Sequence, residues 1–207
     1  MLLVKFIMKK IYSNIFSFLM RLVLKLHGIK VGKMFYIENF PKLKINGKGS
    51  NIQIGDNVSI FGTIDIRNRE DGKIIIADGV KIDANTRIVS ARNGLIKIDK
   101  DSVIGPFTIM NGGGNILIGK KVIFAKNISI NANDHKHEKF DYIRNQGFTY
   151  SDVTIEDDVW LGANVCVNKG VTIKKGSIIG ANAVVTKNTD LYSINAGVPS
   201  KKISERK

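Results

Sequence analysis

From residue 153 onward an aliphatic side chain recurs at every sixth position without a break: Ile155, Leu161, Val167, Ile173, Ile179 and Val185. The positions two before each, Val153, Val159, Val165, Val171, Ser177 and Ala183, are aliphatic or small. A strict period of six fits neither a helix, which repeats every ~3.6 residues, nor a hairpin meander. Upstream the register continues in blocks of three: Ile54, Ile60, Ile66; Ile76, Ile82, Ile88; Ile98, Ile104, Met110; and Ile118, Phe124, Ile130. The steps between blocks are ten (66 to 76 and 88 to 98), eight (110 to 118) and twenty-five (130 to 155). Subtracting the expected six leaves insertions of four, four, two and nineteen residues, each after a third hexad. The natural unit is therefore eighteen residues, a coil of three short strands and three corners. The periodic aliphatic points inward, and Gly, Asn and Asp turn the corners. All insertions then leave from one edge of a triangular prism. Six coils lie between 52 and 185, and Leu43-Lys44-Ile45 begins a partial one. Each coil has little core of its own, so stability comes from stacking on neighbours.

Ahead of the repeat lies a different kind of segment. Residues 1–37 carry Lys5, Lys9, Lys10, Arg21, Lys25, Lys30 and Lys33 with no acid, half of the chain's net +14. Val4, Ile7, Met8, Ile11, Ile15, Phe18, Leu22 and Leu26 step by three or four, while Lys5, Lys9, Ser13, Ser17, Arg21 and Lys25 step by four on the opposite side. The pattern predicts an amphipathic helix of about 25 residues ending near His27-Gly28. Its longest charge-free run, Ile11 to Met20, is ten residues, against the ~20 that span a bilayer. No small-residue cleavage site follows an apolar core, so no secretory signal is expected. Two fates suit the apolar stripe: contact with an anionic membrane, or burial over the open end of the first coil, which is the expectation preferred here. The lysines would then add only weak peripheral membrane attraction through residues 1–27. The expected division is 1–36 for helix and linker, 37–198 for the β-helix and 199–207 for a basic tail. The single Cys166 excludes an internal disulfide. Net charge alone suggests nucleic acid, but no basic and aromatic residues interleave to support it, so none is expected as a partner.

The segment Ile155-Glu-Asp-Asp-Val159-Trp160-Leu161-Gly-Ala-Asn-Val165, with Gly170-Val-Thr-Ile and Ile179-Gly-Ala-Asn-Ala-Val-Val-Thr-Lys187, resembles the hexapeptide-repeat acyltransferases. The closing Ala196-Gly-Val-Pro-Ser-Lys-Lys-Ile203 is similar to the end of their galactoside- and maltose-type sugar O-acetyltransferase branch. The resemblance covers roughly residues 45–204. It implies a mainly β chain, a left-handed parallel β-helix of about six to seven coils, assembled as a homotrimer with active sites between subunits. It also implies acetyl-CoA as co-substrate, no required metal, a cytoplasmic enzyme and a role in cell-surface polysaccharide assembly.

The nineteen-residue insertion, about 131–152, holds His135 and His137 among Asp134, Glu138 and Asp141. A long loop that interrupts a regular solenoid is a natural place for function. Acyl transfer to a hydroxyl needs a base, and histidine titrates nearest neutrality. By the resemblance His135 is the catalytic base and His137 an acceptor contact; which acid orients the imidazole stays open. The resemblance also assigns Trp160, Ala163, Ala181, Thr186, Lys187 and Lys201 to the coenzyme. On the acceptor side the chain departs from the family: an acid is replaced by the corner Asn111-Gly-Gly-Gly-Asn115, in which Asn111 is the candidate contact. Cys166, next to the inward Val167, is expected at a corner away from the histidines and not as a nucleophile. The acceptor is expected to be a saccharide, lipid-linked or nucleotide-linked, on the inner face of the cytoplasmic membrane. N-acetylation of an amino sugar is the alternative. A three-histidine zinc site of the anhydrase kind is disfavoured, because His27 lies in the helix and His135 and His137 are two apart.

Overall fold

The computed structural model describes residues 2–207, with side chains described from Tyr12 onward. Three parallel sheets form the faces of a prism. The first carries Lys30–Val31, Ile52–Ile54, Lys73–Ile76, Leu95–Ile98, Ile116–Ile118, Val153–Ile155 and Thr172–Ile173. The second carries Tyr36–Ile37, Ser59–Ile60, Lys81–Ile82, Val103–Ile104, Ile123–Phe124, Trp160–Leu161, Ile178–Ile179 and Ser193–Ala196. The third carries Lys42–Ile45, Ile64–Asn68, Thr86–Ser90, Ile109–Asn111, Ser129–Asn131, Cys166–Val167 and Val184–Val185. The chain visits the faces in that order, making a parallel β-helix of about seven coils, left-handed as expected.

The period of six becomes the core directly. Every periodic aliphatic from Ile54 to Val185 is buried, and corresponding residues pair in register, as in Ile76 with Ile98 and Ile130 with Val167. The positions two before are buried as well, and where they are polar the hydroxyl is satisfied by backbone. Ser102 donates to the Gly119 carbonyl at 2.8 Å and Thr108 to that of Gly105 at 2.8 Å, as buried hydroxyls require. The corners have their own six-residue rule: the residue three before the aliphatic takes a left-handed backbone. Asn57, Asn85, Asn127, Asn164 and Asn182 do so with φ from 56 to 62°, which asparagine tolerates better than most residues.

The solenoid begins earlier and ends later than the span 37–198. Lys30–Val31 already pairs with Gln53-Ile54, so Val31, Ile37 and Leu43 extend the register into a complete first coil. At the other end Lys201–Glu205 folds back antiparallel on Ser193–Ala196, so the basic tail closes the second sheet.

The helix, α1 (Leu2–Leu26), has the expected length, but it meets the first coil with the unexpected side. Ser17, Met20 and Leu24 are buried, while Ile15, Phe18, Leu22 and Leu26 of the apolar stripe are 56, 57, 45 and 87% exposed. The cause is the solenoid end, where strand backbone has no further coil to bond. The Ser17 hydroxyl accepts from the Ile37 amide at 3.0 Å and donates to its carbonyl at 3.1 Å, meeting the demand of buried backbone for partners. Met20 and Leu24 then cover Ile29, Val31 and Phe35, and Phe16 meets Phe40 edge-on at 5.0 Å. A line of residues that reads as polar thus caps the coil, and the apolar stripe stays outside.

Candidate active site

The nineteen-residue insertion leaves the edge between the third and first faces as a two-stranded ribbon. Asn133–His135 runs antiparallel to Phe148–Tyr150, with Asn133 opposite Tyr150, Asp134 opposite Thr149 and His135 opposite Phe148. Opposed residues share a face of a ribbon. One face therefore presents Asn133, His135, Phe148 and Tyr150, and the other presents Asp134 and Thr149. The His135 ring lies 4.3 Å from that of Phe148, and Phe148 lies 6.3 Å from Tyr150. The back face is tied to the solenoid by Lys169, whose Nζ is 3.1 Å from Asp134 Oδ2 and 2.6 Å from Thr149 Oγ1. The tip is held by Gln146, which donates to the carbonyls of Glu138 and Asp141 at 2.7 Å each.

This arrangement sorts the candidate partners of His135. Asp134 is on the opposite face and paired with Lys169. Asp141 accepts from the Tyr142 amide at 2.7 Å and from Asn145 at 3.1 Å. Among the described residues no carboxylate hydrogen-bonds His135. His137 touches only its backbone, with Nδ1 3.2 Å from the His135 carbonyl oxygen.

The face that carries His135 borders a cleft of about 230 Å³, lined by Asn111, Asn133, Phe148 and Tyr150 on the ribbon side and by Arg69 and Arg87 below. Asn111 is thus brought to the ribbon; its Nδ2 donates to Asn131 at 3.0 Å, and Asn133 Nδ2 donates to the Gly112 carbonyl at 2.7 Å. The glycine corner has a steric reason. Gly113 has φ +136°, and a Cβ there would lie 2.6 Å from the Tyr150 ring. Only glycine lets the tyrosine rest on this corner. Sequence reasoning missed Arg69 and Arg87. The available signal was that Arg69 begins a four-residue insertion on the same edge as the histidine loop.

The residues assigned to the coenzyme fall in two groups. Ala163 and Ala181 stack at the corner between the second and third faces, where the Asn182 amide donates to the Ala163 carbonyl at 2.8 Å. They flank an asparagine ladder, Asn127–Asn164–Asn182, with steps of 2.9 Å. Trp160 stands half-exposed on the second face, paired with Ile123 and Ile178. Thr186 and Lys187 follow the strand Val184–Val185 on the histidine edge, two coils beyond the ribbon, and Lys201 opens the last strand. Within one chain Trp160, Ala163 and Ala181 are therefore separated from His135 by the width of the third face.

Cys166 departs from its expected place. It lies on the third face beside Ser129, near enough to the ribbon for the Asp134 charge to act on it. Burial first, and then Asp134, push its thiol up, the reverse of what an activated nucleophile needs. Among the described residues no three His, Cys, Asp or Glu side chains converge as a metal site.

The family described as bacterial transferase hexapeptide (six repeats) matches residues 152–187. A probable acetyltransferase of Mycobacterium tuberculosis is 31% identical over 154 residues, covering 74% of this chain and 49% of that protein. The galactoside O-acetyltransferase of Escherichia coli is 39% identical over 93 residues, covering 44% of each. The chain spans less than half the length of these two relatives. The dTDP-4-amino-4,6-dideoxy-D-glucose acyltransferase of Escherichia coli is 27% identical over 84% of this chain and 90% of its own. Among solved structures, the N-acyltransferase AntD of Bacillus cereus, in complex with dTDP and 3-hydroxybutyryl-CoA, superposes with a TM-score of 0.60. It is 21% identical, over 90% of this chain and 88% of that one, a likeness of fold. With the repeating hexads, the seven stacked coils and these matches together, the chain is similar to the hexapeptide-repeat acyltransferases, most specifically over residues 152–187.

Proposed function

We propose that this protein is an acetyl-CoA-dependent O-acetyltransferase acting on a hydroxyl of a saccharide, with His135 as general base. One observation carries the reading: His135 stands on the ribbon face that borders a polar cleft, free of competing side-chain hydrogen bonds among the described residues. An acceptor in the cleft gives its hydroxyl proton to His135, and its oxygen attacks the thioester carbonyl carbon. The tetrahedral intermediate collapses with breakage of the carbon–sulfur bond, and the proton passes from His135 to the departing thiolate. Asn111 and His137 contact the acceptor.

The donor would lie along Trp160, Ala163 and Ala181, with Thr186, Lys187 and Lys201 toward its phosphates. Lys187 and Lys201 have no acidic partner among the described residues, and exposed ammonium groups suit a phosphate as point charges. Because Trp160, Ala163 and Ala181 are separated from His135 within one chain, the reading includes a homotrimer in which a neighbour's edge between the second and third faces meets the ribbon. The exposed stripe of α1, flanked by cations, would rest on the anionic inner face of the cytoplasmic membrane, where lipid-linked acceptors of surface polysaccharides are found. Among the described residues no helix is long and apolar enough to cross a membrane.

The test is a mass-shift screen of purified protein with acetyl-CoA and a panel of glycans and nucleotide sugars. Products are then treated with neutral hydroxylamine, which cleaves esters and spares amides. A labile gain of one acetyl group is expected, and no transfer to any carbohydrate would refute the reading. N-acylation of a nucleotide-linked amino sugar is the second reading. It is favoured by the relative that aligns along nearly its whole length, and a hydroxylamine-stable product would establish it.

A further inference from the structure

We infer that the cleft beside His135 selects an anionic saccharide, whose carboxylate or phosphate is held by Arg69 and Arg87. This deepens the proposed function and rests on it for the identity of the acceptor site. The wall of the cleft contains two arginines, two asparagines and no acid. Neither guanidinium group is hydrogen-bonded to a carboxylate among the described residues. The Arg69 guanidinium has no hydrogen-bonded or ionic partner among the described residues. The nearest acid to Arg87 is Asp65, but both oxygens of Asp65 are taken by Arg67, at 2.8 and 2.6 Å. That leaves Arg87 Nε 3.9 Å from the carboxylate, buried and without a hydrogen-bond partner. A buried donor left open is costly unless a ligand meets it. A third cation, Arg92, lies 4.2 Å over the outer face of Tyr150, reinforcing the positive potential on the far side of the same wall.

The guanidinium fork matches a carboxylate or phosphate in two parallel hydrogen bonds, so these residues recognise more than net charge. The remaining wall suits a sugar. Phe148 and Tyr150 offer apolar faces, and the amide oxygens of Asn111 and Asn133 stay open once their Nδ2 groups are engaged. At about 230 Å³ the cleft is smaller than the ~300–1,000 Å³ of drug-sized pockets, so it admits one charged sugar unit, with the rest of the acceptor outside. The resulting order is anion on the arginines, ring against the aromatics, and hydroxyl toward His135 on the same ribbon face.

Direct binding tests this without requiring turnover. Titration calorimetry on the full chain would use three probes: a glucuronic acid oligosaccharide, UDP-glucose and a neutral gluco-oligosaccharide of equal length. Binding of either charged probe at least ~10-fold tighter than the neutral one is expected, weakening as salt screens the charges. The first two probes separate a carboxylate ligand from a diphosphate one. Arg69→Gln, at an exposed position, should weaken the charged probe roughly 10- to 100-fold, the scale of hydrogen bonds to charged groups, with the melting temperature kept. Arg69→Lys should recover only part of it, because a point charge lacks the fork. Equal binding of charged and neutral probes, or an Arg69→Gln Kd like the parent's, would overturn the inference. Charged probes that bind but never accept an acetyl group would instead overturn the proposed reaction and leave the arginine site standing.

Discussion

The imidazole of His135 is positioned by packing rather than by a carboxylate. Phe148, 4.3 Å away, limits its rotation, and no acid reaches the ring among the described residues. A histidine that bonds to nothing structural can be removed at little cost to the fold. His135→Ala should therefore lower kcat by ~100-fold or more, the usual range for a lost general base, with a melting temperature close to that of the parent. His137 reaches only the His135 carbonyl oxygen, so His137→Ala should be much milder, its effect falling on KM. If His137→Ala proved the more damaging, the base would be the other histidine. Stability at low pH depends on different residues. The hydrogen bond from Arg67 lowers the Asp65 carboxyl, and backbone and Lys100 bonds lower that of Asp78. A folded pKa below the unfolded one means stability that is fully present above the unfolded value of ~3.9 and is lost as pH falls through the folded value. Thermal melts from pH 5 to 2 should show a declining Tm. In Asp65→Asn the decline should be shallower.

At the scale of elements, the ribbon is an appendage held by few groups, and Lys169 is the side chain that joins both of its strands to the solenoid. Replacing it should let the ribbon move relative to the cleft while the hexad core stays intact. Lys169→Met should cut kcat about 10-fold or more with little change in Tm, since 1 Å of misplacement at a reacting group can cost ~100-fold. Lys169→Arg should restore part of the loss. A Lys169→Met variant with parental kcat would show that the ribbon needs no such tie. The solenoid itself was legible because its rule is local: six residues per strand and corner, an aliphatic inside, and an asparagine or glycine where φ turns positive. The first coil escaped that reading because Lys30 and Lys33 beside the helix made residues 30–36 look like linker, although Val31, Ile37 and Leu43 keep the step of six. The ribbon pairing was not legible, since it depends on which loop residues meet across the edge. The side of α1 that docks was hidden for a related reason. Ser17 is selected by two backbone groups of Ile37, and nothing in the helix sequence announces them.

The whole molecule presents two surfaces on which a partner can be tested. One is the third face, with His135 at one edge and Ala163 and Ala181 at the other. If neighbouring subunits complete the site, co-expression of His135→Ala with a donor-side Ala163→Trp/Ala181→Trp variant should yield mixed trimers in which some sites are wholly intact. Activity should rise above that of either variant alone, and a mixture no better than its components would put the whole site within one chain. The other surface is the stripe Ile15, Phe18, Leu19, Leu22 and Leu26, exposed because Ser17, Met20 and Leu24 already bind the first coil. Its surroundings favour lipid over a second copy of the chain. Residues 1–37 contain seven cations and no acid, so apposed copies of this segment would repel, whereas an anionic bilayer attracts each nearby cation by about 1 kcal/mol. Full-length protein should sediment with vesicles containing anionic phosphatidylglycerol, less so in high salt, and not with neutral phosphatidylcholine vesicles. Deleting the helix would be a poor control, since it also strips Met20 and Leu24 from the core. Phe18→Glu/Leu22→Glu changes only exposed positions and should abolish sedimentation while keeping the melting temperature and oligomeric state. A change of oligomeric state in that variant would instead make the stripe a contact between subunits. Parent protein that never sediments with anionic vesicles would end the membrane reading altogether.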